Sequence, residues 1–163
     1  MLLLAVPFSS FAQVDAIDRY FRHYVEDTSF TSVYVSPKMF SLIGNLEVDE
    51  NDEELSEMIK GLKGLRILTT EKNARSLYKE AIAKFNTSEY ESLMTVKGDG
   101  EDVNFWIKSD GNTISELLLL VGGDEFVMLS LVGNINLDKI SEFAESMDIE
   151  GSEHLEKLKE KED

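Results

Sequence analysis

Few residues in this chain are equipped for chemistry, and their spacing decides how far each can go. Cysteine is absent and histidine occurs twice, as His23 and His154. Without a thiol there is no cysteine nucleophile, no disulfide, no thiolate metal site and no lipid anchor at an export signal. His23 lies beside an apolar helical stripe and His154 in a charged tail, so no histidine pair stands ready to bind a metal or serve a triad. What remains is acid, with 32 Asp and Glu residues, and two stretches group it in a way that invites a metal. Residues 47–57, EVDENDEELSE, alternate Asp49, Asn51 and Glu53 as a calcium loop does. Residues 121–126, VGGDEF, set Asp124 directly after a glycine pair, where it could face a metal ion held against a triphosphate.

Both readings fail on their missing partners. A calcium loop needs glycine at its sixth position and a bidentate glutamate at its twelfth, where this chain has Glu54 and Lys60. A helix explains the run better. Asp52, Glu53 and Glu54 fall in a first turn, where the helix dipole favours anions, and Leu55, Met58, Ile59 and Leu62 form a buried stripe ended by Gly64. VGGDEF spells the signature of the diguanylate cyclases, but phosphoryl transfer of that kind rests on metal ions held by more than one carboxylate. The second aspartate, which that family carries at the end of its first strand, has no counterpart in Phe30–Val35, and the family's glycine, histidine and aspartate block is missing. Only residues 127–163 follow the motif, whereas the cyclases place it mid-domain. A five-residue match without its chemical partners is weak evidence. A turn accounts for the letters: Gly122 and Gly123 supply positive φ angles, Asp124 tolerates them, and Phe126 starts the next strand. No catalytic residue, metal or cofactor is expected.

The formal net charge of -16 makes nucleic acid an unfavourable partner, because phosphate binding is built on Lys and Arg. The same charge favours basic partners and solubility. The N-terminus reads as an export signal, MLLLAVPFSSFAQ, apolar from Leu2 to Phe8 with small residues at Ser10 and Ala12. It is too short to span a bilayer, so a periplasmic or otherwise exported protein, not integral to the membrane, is expected. The domains are then a signal peptide at 1–12, one domain at 13–147, and a charged tail at 148–163.

These residues must be positioned by an α+β fold. Ile17, Tyr20, Phe21, Tyr24 and Val25 follow the spacing of one helix face. Phe30–Val35 reads as a β-branched strand, followed by a helix with Ser36 as N-cap, Pro37 at its first position and Gly44 as C-cap. LRILTT is a second strand, and Thr70 can cap a helix whose face carries Ala74, Leu77, Tyr78, Ala81, Ile82 and Phe85. Two such strand-helix units precede a four-stranded antiparallel meander, announced by Asp99-Gly100, Asp110-Gly111 and Gly123-Asp124. A C-terminal helix with Ile140, Phe143, Ala144 and Met147 closes the domain.

Pairing through those turns sets Lys97 against Asp102, Val96 against Val103, Ile107 against Ile114 and Val121 against Phe126. In that register the strands are apolar on both sides. Val103, Phe105, Ile107, Ile114, Leu118, Leu120, Val127, Leu129 and Leu131 line one face; Leu93, Trp106, Leu117, Leu119, Val121, Phe126, Met128 and Val132 line the other. An antiparallel sheet often keeps its second face wet, so the second set needs a cover. The candidate binding residues are Leu93, Trp106, Leu117, Leu119, Phe126 and Met128. They centre on Trp106, which lies between polar Asn104 and Lys108 in the manner of an interface anchor.

Three phrases, FTSVYVSPKMFSLI, IKGLKGLRILTTE and YESLMTVKGDGEDVNFWIKSDGNTISELLLLVGG, resemble the exported bacterial proteins catalogued as domain of unknown function 4252. The resemblance covers about Phe30 to Ile140. It implies export and an α+β domain and supplies no catalytic residue. The family's genes stand near extracytoplasmic sigma-factor systems, which implies a link to envelope stress signalling. Two readings follow. The favoured one is a non-enzymatic module that meets another envelope protein through a sheet face or an acidic helix edge. The alternative is a carrier or sensor of a small apolar ligand held between sheet and helices. The first needs an exposed apolar patch and the second an internal pocket.

Overall fold

A computed structural model describes residues 12–46, 53–85, 87–111 and 113–136. The expected signal up to residue 11, the acidic run at 47–52, the closing helix and the charged tail lie outside the described residues. In chain order the elements are helix α1 (Ala12–Tyr24), strand β1 (Thr31–Val35), helices α2 (Pro37–Leu46) and α3 (Glu53–Gly61), strand β2 (Leu62–Thr70), helix α4 (Ala74–Lys84), and strands β3 (Glu91–Gly98), β4 (Glu101–Asp110), β5 (Thr113–Gly122) and β6 (Phe126–Ile135).

The fold is α+β, with one antiparallel sheet. That sheet has six strands in the order β1-β2-β6-β5-β4-β3, and a separate four-stranded meander is not what forms. The meander is present as β3 to β6, but β6 also pairs with β2 along eight residue pairs, and β2 carries β1 on its far side. The cause lies in the length of β2. The strand begins at Leu62, three residues before LRILTT, and spans β6 from Gly133 to Phe126. Gly64 therefore lies inside a strand, next to the β2 bulge, while α3 ends at Gly61.

The helices divide between the two faces. Phe40 of α2 and Met58 and Ile59 of α3 pack on one face with Leu65, Val103, Phe105, Ile107, Leu117, Leu119 and Leu131. Ile17, Tyr20 and Phe21 of α1 and Ala74, Leu77, Tyr78 and Ala81 of α4 pack on the other with Leu68, Trp106, Leu118, Leu120, Phe126 and Met128. Ser36 caps α2 as its sequence predicts, its hydroxyl accepting from the Met39 N–H at 3.2 Å. Gly44 is not a cap. It sits within α2 where a Cβ would come 2.8 Å from Lys60 of α3, so it lets the two helices cross closely. Thr70 does not cap α4 either. Asn73 occupies that position without a side-chain bond, and the Thr70 hydroxyl instead donates to the Ser29 carbonyl at 2.7 Å, tying β2 to the entry of β1.

The hairpins decide which side chains share a face. Asp99 and Gly100 both take positive φ, 51° and 84°, as the tight β3–β4 turn demands, and the expected Lys97–Asp102 and Val96–Val103 pairs form. The next turn differs. Asp110 pairs with Thr113, and a bulge at Ser115 then sets Ile107 opposite Leu117 rather than Ile114. One extra residue turns the strand over beyond the bulge, so Leu118 and Leu120 face α1 and α4 while Leu117 and Leu119 face α2 and α3, and Ile114 before it keeps its expected face. The β5–β6 turn departs by one residue as well. Gly122, not Val121, faces Phe126, and Gly123–Glu125 form the loop. The two offsets cancel, which is why the faces read for β4 and for most of β6 hold while the leucines of β5 are exchanged.

Candidate functional site

The six residues singled out from the sequence do not share a face, and most are not exposed. Trp106, Phe126 and Met128 lie together under α1 and α4 at 9%, 0% and 0% exposure. Leu117 and Leu119, at 1% and 3%, are turned to the opposite core by the Ser115 bulge, and Leu93 is half-buried beside it. The expected apolar sheet face in need of a partner is thus corrected: the chain's own helices cover Trp106 and its neighbours. Asn104 is buried too, its side-chain amide donating in a very short bond to the Tyr78 hydroxyl, and Lys108 is engaged with Glu89 at 2.8 Å.

The fold also buries an acid that no sequence motif announced. Glu116, on β5, is 3% exposed. The Tyr90 hydroxyl donates to one of its oxygens at 2.7 Å and the Ser130 hydroxyl to the other at 3.2 Å. Burial holds this carboxyl above the usual glutamate range, opposed by the two hydrogen bonds and by the charges of Lys108 and Arg66. Lys108 is the cross-strand neighbour of Glu116, and beyond the Ser130–Glu116 hydrogen bond the polar row continues through the cross-strand pairs of Ser130 with Arg66 and Arg66 with Tyr34. Arg66 ends the row in an ion pair with Asp18 of α1 at 2.9 Å, and Asp18 also holds Arg22 at 2.7 Å. The one signal in the sequence was a lone charge inside the apolar run ISELLLL. Both oxygens of Glu116 have a donor, and among the described residues no second acid acts on it, so the row reads as a satisfied strut pinning α1 to the sheet.

The VGGDEF hairpin is explained by contact. Neither Gly122 nor Gly123 takes a positive φ, contrary to expectation. A Cβ on Gly122 would fall 2.4 Å from the Tyr78 ring, and one on Gly123 would fall 3.0 Å from the Gly100 carbonyl. The glycines let α4 and the neighbouring hairpin close down on the strand end. Asp124 and Glu125 are exposed, and among the described residues no three His, Asp or Glu side chains gather as a metal would need. Beside this hairpin a cleft of ≈ 310 Å³ sets Arg75 and Lys79 of α4 against Glu101 and Asp102 of β4. A second, of ≈ 380 Å³, lies at Arg19, Tyr20, His23 and Lys84. Charged stems dominate both.

What the surface does offer is an edge. Among the described residues seven large hydrophobics are exposed, and five of them, Val25, Val33, Tyr34, Met39 and Leu42, belong to β1 or to the segments directly before and after it. Val33 and Tyr34 are 41% and 55% exposed on opposite sides of β1. Gly44 turns toward α3, so Met39 and Leu42, at 49% and 43%, lie on the flank of α2 away from that helix. On the other side Tyr34 stands over Arg66, at 5.6 Å, and near the ring of Phe21.

These features define the protein as an antiparallel α+β domain whose sheet is covered on both faces and whose surface carries one apolar strand edge. The family described as Domain of unknown function (DUF4252) matches residues 23–143, and the chain belongs to it. No curated protein and no solved structure matches the chain significantly. Among the described residues no helix is long and apolar enough to cross a membrane.

Proposed function

We propose that this protein is an exported, non-enzymatic interaction module of the bacterial envelope, whose partner is another envelope protein and whose docking surface is the β1 edge with its flanks. A link to envelope stress signalling belongs to the same proposal and rests on what the family resemblance implies. The observation that carries the reading is that five of the seven exposed large hydrophobics among the described residues, Val25, Val33, Tyr34, Met39 and Leu42, lie on β1 or on the segments next to it in the chain. Exposed apolar patches rimmed by polar residues mark interaction sites. The carrier alternative draws less support, because the clefts beside α4 and α1 are lined by charged side chains rather than by Leu, Phe, Met and Trp. The test is photo-crosslinking in intact cells with a benzophenone side chain at position 34 and, as control, at the equally apolar but separate Ile82. A discrete adduct from position 34 alone is expected. Equal adducts from both positions, or none from 34, would overturn the assignment.

A further inference from the structure

We infer that the β1 edge receives its partner by strand addition, and that the incoming segment is extended, basic and alternately apolar; this rests on the docking reading above and specifies its chemistry. The first ground is the difference between the two edges of the sheet. At the far edge β3 is guarded: its register against β4 breaks between Ser92 and Met94, and charged Glu91 and Lys97 stand on it. Bulges and edge charges are the usual defences against unwanted strand pairing. The other edge, β1, has none of them. Its sequence TSVYV contains no charge, proline or glycine, and it pairs with β2 through five successive residues without a break. In an antiparallel ladder alternate residues direct their N–H and C=O groups to the neighbour, which leaves those between them pointing outward. Among the described residues no strand takes them up.

The flanks fit a strand with apolar side chains on one face and basic ones on the other. Val33, Met39 and Leu42 would receive the apolar set, and the exposed Tyr34 ring on the opposite side would take the stems of the basic set. Such an arrangement gives affinity through main-chain bonds and selectivity through side-chain contacts. Charge selects the occupant. The net charge of the chain is -16. Glu26 and Asp27 precede β1, and both are exposed. A second copy of this chain would bring an equal negative charge to the same edge. A segment with Lys or Arg between its apolar residues gains from the same field.

The probe is a ten-residue peptide alternating valine with lysine, added to the full chain and followed by amide hydrogen exchange and by binding titration. Two companions share its length: one with glutamate in place of lysine, and one with lysine retained but alternate amides N-methylated. The expected result is slowed exchange within Thr31–Val35 on adding the basic peptide, and binding weaker by about tenfold or more for each companion. The Val33→Lys chain should lose binding to a similar degree and the Ile82→Lys chain should not. If the N-methylated peptide binds as well as its parent, charge alone holds it and strand addition is wrong. Protection in the free chain of the outward-pointing amides of β1, those that do not bond β2, would show that the protein covers its own edge or pairs with itself, and would also overturn the inference. Should these results fail while crosslinking at position 34 still yields a discrete partner, the docking surface stands and only the strand mode falls.

Discussion

Glu116 is a carboxyl whose ionisation the fold resists, chiefly through burial. Its carboxyl titrates above the usual glutamate value, so between that value and the raised one the folded chain binds a proton that the unfolded chain has released. Stability attributable to Glu116 is therefore greatest at acid pH and falls as pH rises through this window, then levels off. Glu116→Gln removes the charge while leaving an acceptor for Tyr90 or Ser130. Relative to wild type the Gln variant should gain stability as pH rises, a trend that urea unfolding between about pH 4 and pH 8 will reveal. A stability difference that stays flat, or that shrinks with pH, would mean the carboxyl does not titrate as its burial demands. Its place as a lone charge inside ISELLLL was the one feature that set this acid apart from 31 others, and it could not show the burial, which is conferred by the strand register and by Tyr90 and Ser130 at separations of 26 and 14 residues. Gly122 was legible as a special position for the wrong reason. A turn was the local explanation, and the Tyr78 ring against it belongs to a helix no local rule could place.

At the scale of elements, hydrophobic periodicity located the helices and the hairpins well, since both are short-range patterns. Register was harder. The Asp99-Gly100 turn was legible to the residue because its two positive φ angles leave one solution, whereas the Ser115 bulge has no residue signature and reversed the faces of β5. Covering the sheet on both faces has a measurable outcome. Leu118 and Leu119 lie on opposite faces at 0% and 3% exposure, so Leu118→Ala and Leu119→Ala should each cost about 2–5 kcal/mol in urea denaturation. A loss under about 1 kcal/mol at either position would show that its face is not packed. The place of β1 and β2 in the sheet could not be read either. The pairing of β2 with β6 links residues some sixty positions apart, as Leu68 and Met128 illustrate, and apolar strands of similar length compete for the same edge.

For the whole molecule, the formal charge sets the scale of its electrostatics. A charge of -16 on 163 residues bears on solubility, partner choice and self-repulsion before any fold is known. Repulsion among surface acids weakens the folded state, and salt screens it over about 8–10 Å at physiological strength. Raising sodium chloride from about 0.02 M to about 0.5 M should lift the melting temperature by a few degrees and, in the same samples, weaken any basic ligand at the β1 edge. Opposite signs for stability and binding are the signature of one charge distribution acting on both. If salt left both unchanged, the acidic surface would have no part in either.

The four consecutive leucines of β5 look identical to either core. Leu117 and Leu119 could trade places with Leu118 and Leu120 with no change in chemical composition on the two sides. The run therefore carries no information about its own alignment. What anchors it are the two residues that are not leucine at its margins: Glu116, which must meet Tyr90 and Ser130, and Gly122, which must pass beneath Tyr78. A strand made of interchangeable parts is thus indexed from its ends, like a scale fixed by two marks. A one-residue length change in it would be an error of reference, which the leucines themselves have no means to correct.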